Sequence, residues 1–268
     1  MANDRYDVAI VGGGINGCVA AKFLATDHDV VVLEKDQIAA ATTARASGLI
    51  SVAHDYIDHL EAGKYAADFF DEYDGTRDFE FTKRNNVRLI PEGNEARARA
   101  EADRMAEHFE LTYYETTDAI EEQYPGVFEL DPFVGAIEID KGGWVDPYTL
   151  AMTYKQDAEA AGADIETGVE VTGVTTENGA VTGVTTDDGS YAADNVVVAT
   201  AYHTKEFVSE YVDLPIRPFR YQWVNLDVDR EFPDYFPVAW DDRSQLYWRP
   251  EHNGELHVGG GTYYVGEP

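Results

Sequence analysis

One stretch near the start of the chain, YDVAIVGGGINGCVAAKFLATDHDVVVLEK from Tyr6 to Lys35, limits what the rest can fold into. Asp7 to Val11 is a short apolar run of the kind that forms a buried strand. Gly12, Gly14 and Gly17 then give G-x-G-x-x-G. Ile15 to Ala25 has helical spacing, with Val19, Phe23 and Leu24 available for a buried face. Val30 to Leu33 is a second buried strand, closed by Glu34. Each glycine has a physical reason. The first lets the chain turn tightly out of the strand, the second lets a pyrophosphate approach the backbone, and the third lets the helix lie close to the strand. The helix N-terminus then offers free N–H groups and the positive end of its dipole to an anion. Glu34 follows Gly12 by twenty-two positions, close to the ~20 at which an acid meets ribose hydroxyls. The stretch therefore predicts an α/β domain with a dinucleotide site. A glycine turn that only packs a helix on a sheet would leave Glu34 and the spacing unexplained.

The segment after Glu34, KDQIAAATTARASGLIS, is poor core material and suits a loop laid against a ligand. Thr42, Thr43, Arg45 and Ser47 supply donors for a pyrophosphate, and Gly48 ends the loop. The nucleotide contacts expected from this region are Gly12, Gly14, Ile15, Asn16, Gly17, Glu34, Lys35, Thr42, Thr43, Arg45, Ser47 and Gly48.

Composition excludes several partners. The 268 residues include 51 acidic and 20 basic side chains, a net charge of −31, which argues against nucleic acid. The acids run along the whole chain, as in a protein made for high salt, where self-repulsion is screened. A halophilic source is expected. Cys18 is the sole cysteine, so no intrachain disulfide is possible and a cytoplasmic setting is expected; beside Gly17 it reads as a small buried side chain. MANDRYD has no signal-peptide pattern, and no stretch approaches the ~20 apolar residues of a membrane span. No metal site is expected.

Farther along, Ile57 to Tyr73 reads as an amphipathic helix and Phe79 to Ile90 as a hairpin turning at Asn85-Asn86. Ala96 to Phe109 reads as a charged surface helix, Leu111 to Tyr114 as a strand, Thr117 as the N-cap of a helix ending at Tyr124, and Phe133 to Ile139 as a strand. Asp146 and Pro147 are an N-cap and first helical residue for Tyr148 to Ala161, which Gly162 ends. VTGVTT occurs twice, at Val171–Thr176 and Val181–Thr186, and Val169 to Val174 with Val181 to Thr186 reads as a small antiparallel meander. Asn195 to Thr200 is a buried strand expected to return to the sheet of Asp7–Val11. Ile216 to Val228, Leu246 to Trp248 and Glu255 to Val258 read as strands, the last followed by Gly259-Gly260-Gly261.

These landmarks together resemble the FAD-dependent oxidoreductases of the D-amino acid oxidase, glycine oxidase and sarcosine oxidase superfamily. The motifs that carry the resemblance are VGGGINGCVAA, ATTARASGLIS, Asp146-Pro147, GVEVTGVTTENGAVTGVTTDDGS, VVVATAYHT, LPIRPFRYQWVNLD and LYWRPEHNGELHVGGG. The resemblance implies a Rossmann-like FAD-binding domain (1–55 and 137–213) with an inserted, discontinuous α+β substrate domain on an antiparallel sheet (56–136 and 214–268). It adds Val171, Ala199 and Thr200 to the cofactor contacts, and it implies non-covalent FAD. Two positions depart from the family: Ala201 stands where its late strand has glycine, and Tyr221 where glycine precedes Gln222. The family's final glycine-rich flavin segment has no counterpart here. The chain is therefore expected to look unfinished, with an apolar patch beside the strands around Tyr247 and Val258, weak flavin binding when alone, and an oligomer or C-terminal complement to complete it.

The chemistry implied is oxidation of the C–N bond of a small amine or amino acid of the glycine, sarcosine or D-amino acid type, with hydride passing to flavin N5 and oxygen or another carrier as the final acceptor. Tyr247 and Arg249 are the substrate-pocket candidates. Strand alternation puts both on one face, and an arginine suits a carboxylate, or else forms a structural ion pair. His54 and His203 read as ordinary polar residues near the site. Two alternatives stand beside this reading: a flavin dehydrogenase of a hydroxy acid or glycerol phosphate, and a truncated, non-catalytic dinucleotide-binding subunit.

Overall fold

The computed structural model describes residues 5–264. The chain opens with β1 (Tyr6–Val11), the glycine turn, α1 (Ile15–Leu24) and β2 (Val30–Glu34). A 3-10 turn at Thr43–Arg45 precedes the two-residue β3 (Leu49–Ile50). Then come α2 (Leu60–Tyr73), β4 (Phe81–Lys83), β5 (Asn86–Pro91), α3 (Glu95–Met105), β6 (Leu111–Tyr114), α4 (Thr117–Gln123) and β7 (Phe133–Ile139). β8 (Gly143–Val145) leads into α5 (Pro147–Ala161), β9 (Asp164–Thr167), β10 (Val171–Glu177), β11 (Ala180–Thr186) and β12 (Gly189–Val198). After the short α6 (Thr204–Phe207) the chain ends in β13 (Phe219–Leu226), β14 (Val238–Asp241), β15 (Leu246–Pro250) and β16 (Leu256–Tyr264).

The first sheet has the order β10-β11-β12-β1-β2-β9. β1 lies parallel to both β2 and β12, with Val8 opposite Val30 and Asn195. The late strand thus returns beside β1 as its apolar run requires. β10, β11 and the first half of β12 form the antiparallel meander. Val8, Ile10, Val30 and Val32 pack with Ala21, Ala25 and Ala158 in one core.

α1 departs from the expected burial. Its buried residues are Gly17, Cys18 and Ala21, whereas Phe23 is 51% exposed. The cause is close approach: a Cβ on Gly17 would lie 1.9 Å from the Gly12 carbonyl oxygen. Only small side chains fit between a helix and sheet that near, so Val19 and Leu24 pack at the margins of the cores, half-buried, and Phe23 turns outward. The Asp146 carboxylate caps α5 by accepting from the Thr149 amide at 2.6 Å, and Gly162 ends it at φ 110°, where glycine escapes the Cβ penalty.

The second sheet has the order β13-β16-β15-β14-β5-β7-β6. It is antiparallel except for the parallel pair β5–β14. α3 packs on it through Ala98, Ala102 and Met105 against Ile90, Ile137 and Ile139. The opposite face holds Val87, Leu89, Ala136, Ile120 and Tyr124. Residue 137, where the division is expected, lies inside β7, whose partners β5 and β6 both belong to this sheet.

Several local expectations are corrected. β4 and β5 do not form a hairpin. β4 pairs with β8 in a separate three-stranded sheet with β3, and β5 pairs with β7 and β14. Gly143 decides this, because a Cβ there would sit 2.0 Å from the Thr82 carbonyl oxygen, so β8 can lie close on β4. α2 begins at Leu60 and α3 ends at Met105, each shorter than the apolar pattern implies. The cap of α4 is Thr116, one residue early; its hydroxyl accepts from the Ala119 amide at 3.3 Å. The three glycines after Val258 lie inside β16. At Gly259 a Cβ would meet the Tyr247 ring at 2.2 Å. β13 runs along the sheet edge beside Tyr247 and Val258, with Tyr221, Trp223, Val224 and Leu226 each 40% exposed or more; alternation divides these apolar side chains between its two faces.

Candidate functional site

The carboxyl ends of β1 and β2 open into a cleft of about 530 Å³. Gly12, Gly14, Glu34, Lys35, Thr42, Thr43 and Arg45 line one side, and Val171, Ala199 and Thr200 the other. A crevice at the strand ends is where α/β sheets bind dinucleotides. The glycines behave as their spacing predicts. Gly12 has φ 106° and a Cβ would stand 2.6 Å from the Ala199 carbonyl oxygen, so the turn and the late strand touch. A Cβ on Gly14 would meet only the Thr43 hydroxyl, at 3.2 Å. The space in front of Gly14 is thus open, and α1 has no side-chain cap at that residue. An open cradle at a helix start whose first residue carries no capping side chain fits a pyrophosphate.

The donors around it are ordered. The Ile15 amide donates to the Thr43 hydroxyl at 3.0 Å, tying the loop to the helix start. The Glu34 carboxylate accepts from the Gly13 amide at 2.6 Å and from the Asp36 amide at 2.9 Å. It is held at the cleft wall, where a ribose would meet it. Lys35 and Arg45 bring positive charge to an otherwise acidic protein.

The expected contacts divide three ways. Ten of them, the residues just named on the two sides of the cleft, line it, and Ile15 serves the loop through its amide. Gly17 is buried beneath the turn and Asn16 is exposed. Ser47 lines a different cavity, and Gly48 sits with its Cβ position 2.0 Å from the Val145 carbonyl oxygen, a packing role at φ 67°. Sequence reasoning missed Ala39, Glu170, Tyr202 and Phe207, which complete the wall; nothing in their local pattern marks them. Ala201 has φ 51°, in the left-handed region that favours glycine, which explains why a glycine suits this position. His203 lies in the cleft wall with its ring 4.0 Å from that of Tyr202.

The second cavity, about 400 Å³, lies across the loop of residues 42–48. Its walls include Ser47, Trp144, Trp223, Arg249, Glu251 and His257. Tyr247 and Arg249 are both buried, at 1% and 4% exposure. Arg249 Nη1 lies 3.0 Å from Glu251 Oε2, and Nη2 donates to the Ser47 carbonyl at 3.0 Å. Its guanidinium also rests 4.7 Å from the Trp144 ring centre. A substrate carboxylate would have to displace Glu251 to reach it. With Nδ1 protonated, His257 donates to the Asn225 side-chain oxygen at 2.9 Å and accepts the Tyr247 hydroxyl at Nε2, 3.2 Å away. Glu251 Oε1 is 3.4 Å from the same Nδ1. Hydrogen bonding from His257, with Arg249 adding to it, holds the Glu251 carboxyl down to about 2.

Tyr247 lies in a ladder of near-parallel rings, 6.0 Å from Tyr221 and 6.2 Å from Trp240. Burial pushes the Tyr247 hydroxyl up and that of Tyr221 up to about 12, so both are neutral donors at physiological pH. Burial, with Arg88 nearby, lowers His54 to about 3, which leaves it uncharged. No cluster of three or more His, Cys, Asp or Glu among the described residues has the arrangement of a metal site, and no described helix is long and apolar enough to cross a membrane.

Residues 7–268 match the family model described as FAD dependent oxidoreductase. Human mitochondrial dimethylglycine dehydrogenase is 26% identical over 265 residues, covering 94% of this chain and 30% of its own length. Sarcosine oxidase subunit beta of an Arthrobacter species is 30% identical over 274 residues, covering 96% of this chain and 65% of its own. The chain therefore spans 30% of the length of one of these relatives and 65% of the other. Among solved structures, L-proline dehydrogenase from P. horikoshii superposes with a TM-score of 0.87 at 21% identity, over 98% of this chain and 71% of that one. That likeness shows the fold.

Proposed function

Since this chain belongs to the family of FAD dependent oxidoreductases, we propose that it oxidises the C–N bond of a small amine or amino acid of the glycine, sarcosine or D-amino acid type. The observation that carries the reading is the cleft itself: an open glycine cradle, a carboxylate at ribose distance along the sequence, and a donor-rich loop meet at the strand ends. Relatives named for sarcosine and dimethylglycine support the substrate class.

FAD, when bound, supplies the electron sink for a hydride from the carbon bearing nitrogen, and the imine left behind is hydrolysed by water. The chain's own residues orient and shield. The N-terminus of α1 and the loop donors Thr42, Thr43 and Arg45 hold the pyrophosphate, and Glu34 takes the ribose hydroxyls. Val171 with Ala199 and Thr200 bounds the far wall. Tyr247 gives the substrate side a rigid aromatic wall with a neutral hydroxyl, fixed by His257. Binding is non-covalent, and the electrons pass on to oxygen or another carrier.

The relatives' additional length supports a further segment, on a longer chain or a partner, that covers β13 and completes the flavin-ring side. The acidic surface supports a halophilic source, and the lone buried cysteine a cytoplasmic setting. The test is anaerobic: the purified chain is loaded with FAD and offered glycine, sarcosine, dimethylglycine, proline and D-alanine. Bleaching of the flavin by one of these supports the reading. Bleaching only by glycerol phosphate or a hydroxy acid would replace it.

A further inference from the structure

The loop of residues 42–48 is fixed from two sides, and only one side belongs to the nucleotide-binding sheet. On the cleft side, the Thr43 hydroxyl accepts from Ile15, and the Ala44 amide donates to the Ala39 carbonyl at 3.0 Å. On the other side the second sheet reaches over. The Trp223 indole N–H, from β13, donates to the Arg45 carbonyl at 2.8 Å. Arg249, from β15, donates to the Ser47 carbonyl at 3.0 Å. These two residues lie about 180 and 200 positions downstream of the carbonyls they hold.

Capturing a carbonyl orients a peptide. In a trans peptide the N–H of the next residue points opposite to the C=O. Drawing the Arg45 and Ser47 carbonyls toward the second sheet turns the negative ends of two peptide dipoles away from the cleft. An anion in the cleft gains from that, because inward-facing carbonyl oxygens would repel it. The holding groups are themselves held. Glu251 pairs with Arg249 at 3.0 Å and reaches His257 at 3.4 Å. His257, at 1% exposure, is fixed by Asn225 and Tyr247. Its ring also packs 4.9 Å from that of Trp223. One buried histidine thus braces both arms.

We propose that Trp223 and the Arg249–Glu251–His257 chain form a latch by which the second sheet keeps the loop of residues 42–48 in its pyrophosphate-binding shape. They are positioning residues: none of the four lines the nucleotide cleft, yet they set the affinity there. The proposal rests on the reading of that cleft as the FAD site. It assigns Arg249 to the loop carbonyl.

The test compares Trp223→Phe, which removes one N–H from a 40% exposed ring, with Arg249→Met and Arg249→Lys. FAD affinity is read by quenching of flavin fluorescence, AMP affinity by calorimetry, and the amides of residues 42–48 by hydrogen exchange in the nucleotide-free protein. AMP has no pyrophosphate bridge and uses Glu34 without the loop. Loss of one hydrogen bond from a charged donor predicts FAD bound about tenfold more weakly in Arg249→Met, and about threefold in Trp223→Phe. AMP should stay within about twofold, loop exchange should quicken, and Arg249→Lys should recover part of the FAD affinity. Unchanged FAD affinity and loop exchange in Trp223→Phe would overturn the latch. So would a parallel loss of AMP, which would mark general destabilisation. A wild-type chain that binds neither nucleotide would instead sink the cleft reading, and the latch with it.

Discussion

The three motif glycines sit in one turn but face different neighbours, so their substitution should fail in different ways. At Gly17 a Cβ would stand 1.9 Å from the Gly12 carbonyl oxygen, which is backbone and cannot step aside. Overpacking of this kind costs about 1–3 kcal/mol or more, and the contact is short enough to place Gly17→Ala at the upper end. Gly12→Ala combines a 2.6 Å clash with the Ala199 carbonyl oxygen and φ 106°, and belongs in the same class. Gly14 differs. Its φ is −74°, ordinary for any residue, and its only close neighbour is the flexible Thr43 hydroxyl at 3.2 Å. Gly14→Val should cost about 1 kcal/mol as a poorer helix cap, a fall of about 2–4 °C in melting temperature for a chain of this size. Gly17→Ala should lose roughly three times as much. The order reverses for the cofactor. A side chain at Gly14 fills the cradle, and forfeiting one or two charge-assisted hydrogen bonds weakens FAD by about 10–100-fold. Thermal unfolding of the flavin-free variants and FAD titration of the same samples give both numbers. Wild-type FAD affinity in Gly14→Val, or unfolding as severe as in Gly17→Ala, would refute the argument.

The net charge of −31 predicts a melting temperature that climbs as KCl rises from about 0.1 M to the molar range, where screening shortens the reach of repulsion from ~10 Å to ~3 Å; indifference to salt would contradict it. Ala201→Gly should raise the melting temperature, because the left-handed strain at φ 51° costs an alanine about 1–2 kcal/mol and glycine's extra unfolded-state freedom returns only part of it; a lower melting temperature would be the wrong result. Glu251 has its carboxyl lowered from 4.5 to about 2, so its contribution to stability is complete above about 4.5 and is lost as pH falls through about 2. The stability gap between wild type and Glu251→Gln should therefore narrow across that window, and a gap independent of pH would show that the pairing of Glu251 with His257 and Arg249 contributes nothing.

What was legible in the sequence was local. The Asp146-Pro147 helix start and the Gly162 stop need only neighbours within a few residues, and the glycine turn and Glu34 belong to one short strand–turn–helix–strand unit that closes through the Gly13 amide. The apolar run of β12 identified a strand beside β1, although Val196, Val197 and Val198 are half-buried and not buried as the run implied. What was illegible depended on distant contacts. Whether β4 pairs with β5 or β8 rests on Gly143, sixty residues on from Lys83. The outward turn of Phe23 rests on how near Gly17 lets α1 approach the turn. Arg249 offered two readings in sequence, a carboxylate partner or a structural ion pair. Glu251 stands two residues on, but only the fold brings the Ser47 carbonyl to it. The bracing role of His257 left little local trace, since Asn225 comes from β13 while Tyr247 and Glu251 come from β15 and the turn just after it.

The central claim is that FAD binds in the cleft between Gly14, Glu34 and the loop of residues 42–48. A crystal structure of residues 1–268 grown with FAD tests it most directly. The account predicts the pyrophosphate at the N-terminus of α1 against Gly14, and the ribose hydroxyls on the Glu34 carboxylate beside the Gly13 amide it now accepts. It also predicts the Arg45 and Ser47 carbonyls still turned to Trp223 and Arg249. A nucleotide seated instead in the cavity between Trp144 and Trp223, with Glu34 untouched, would contradict it.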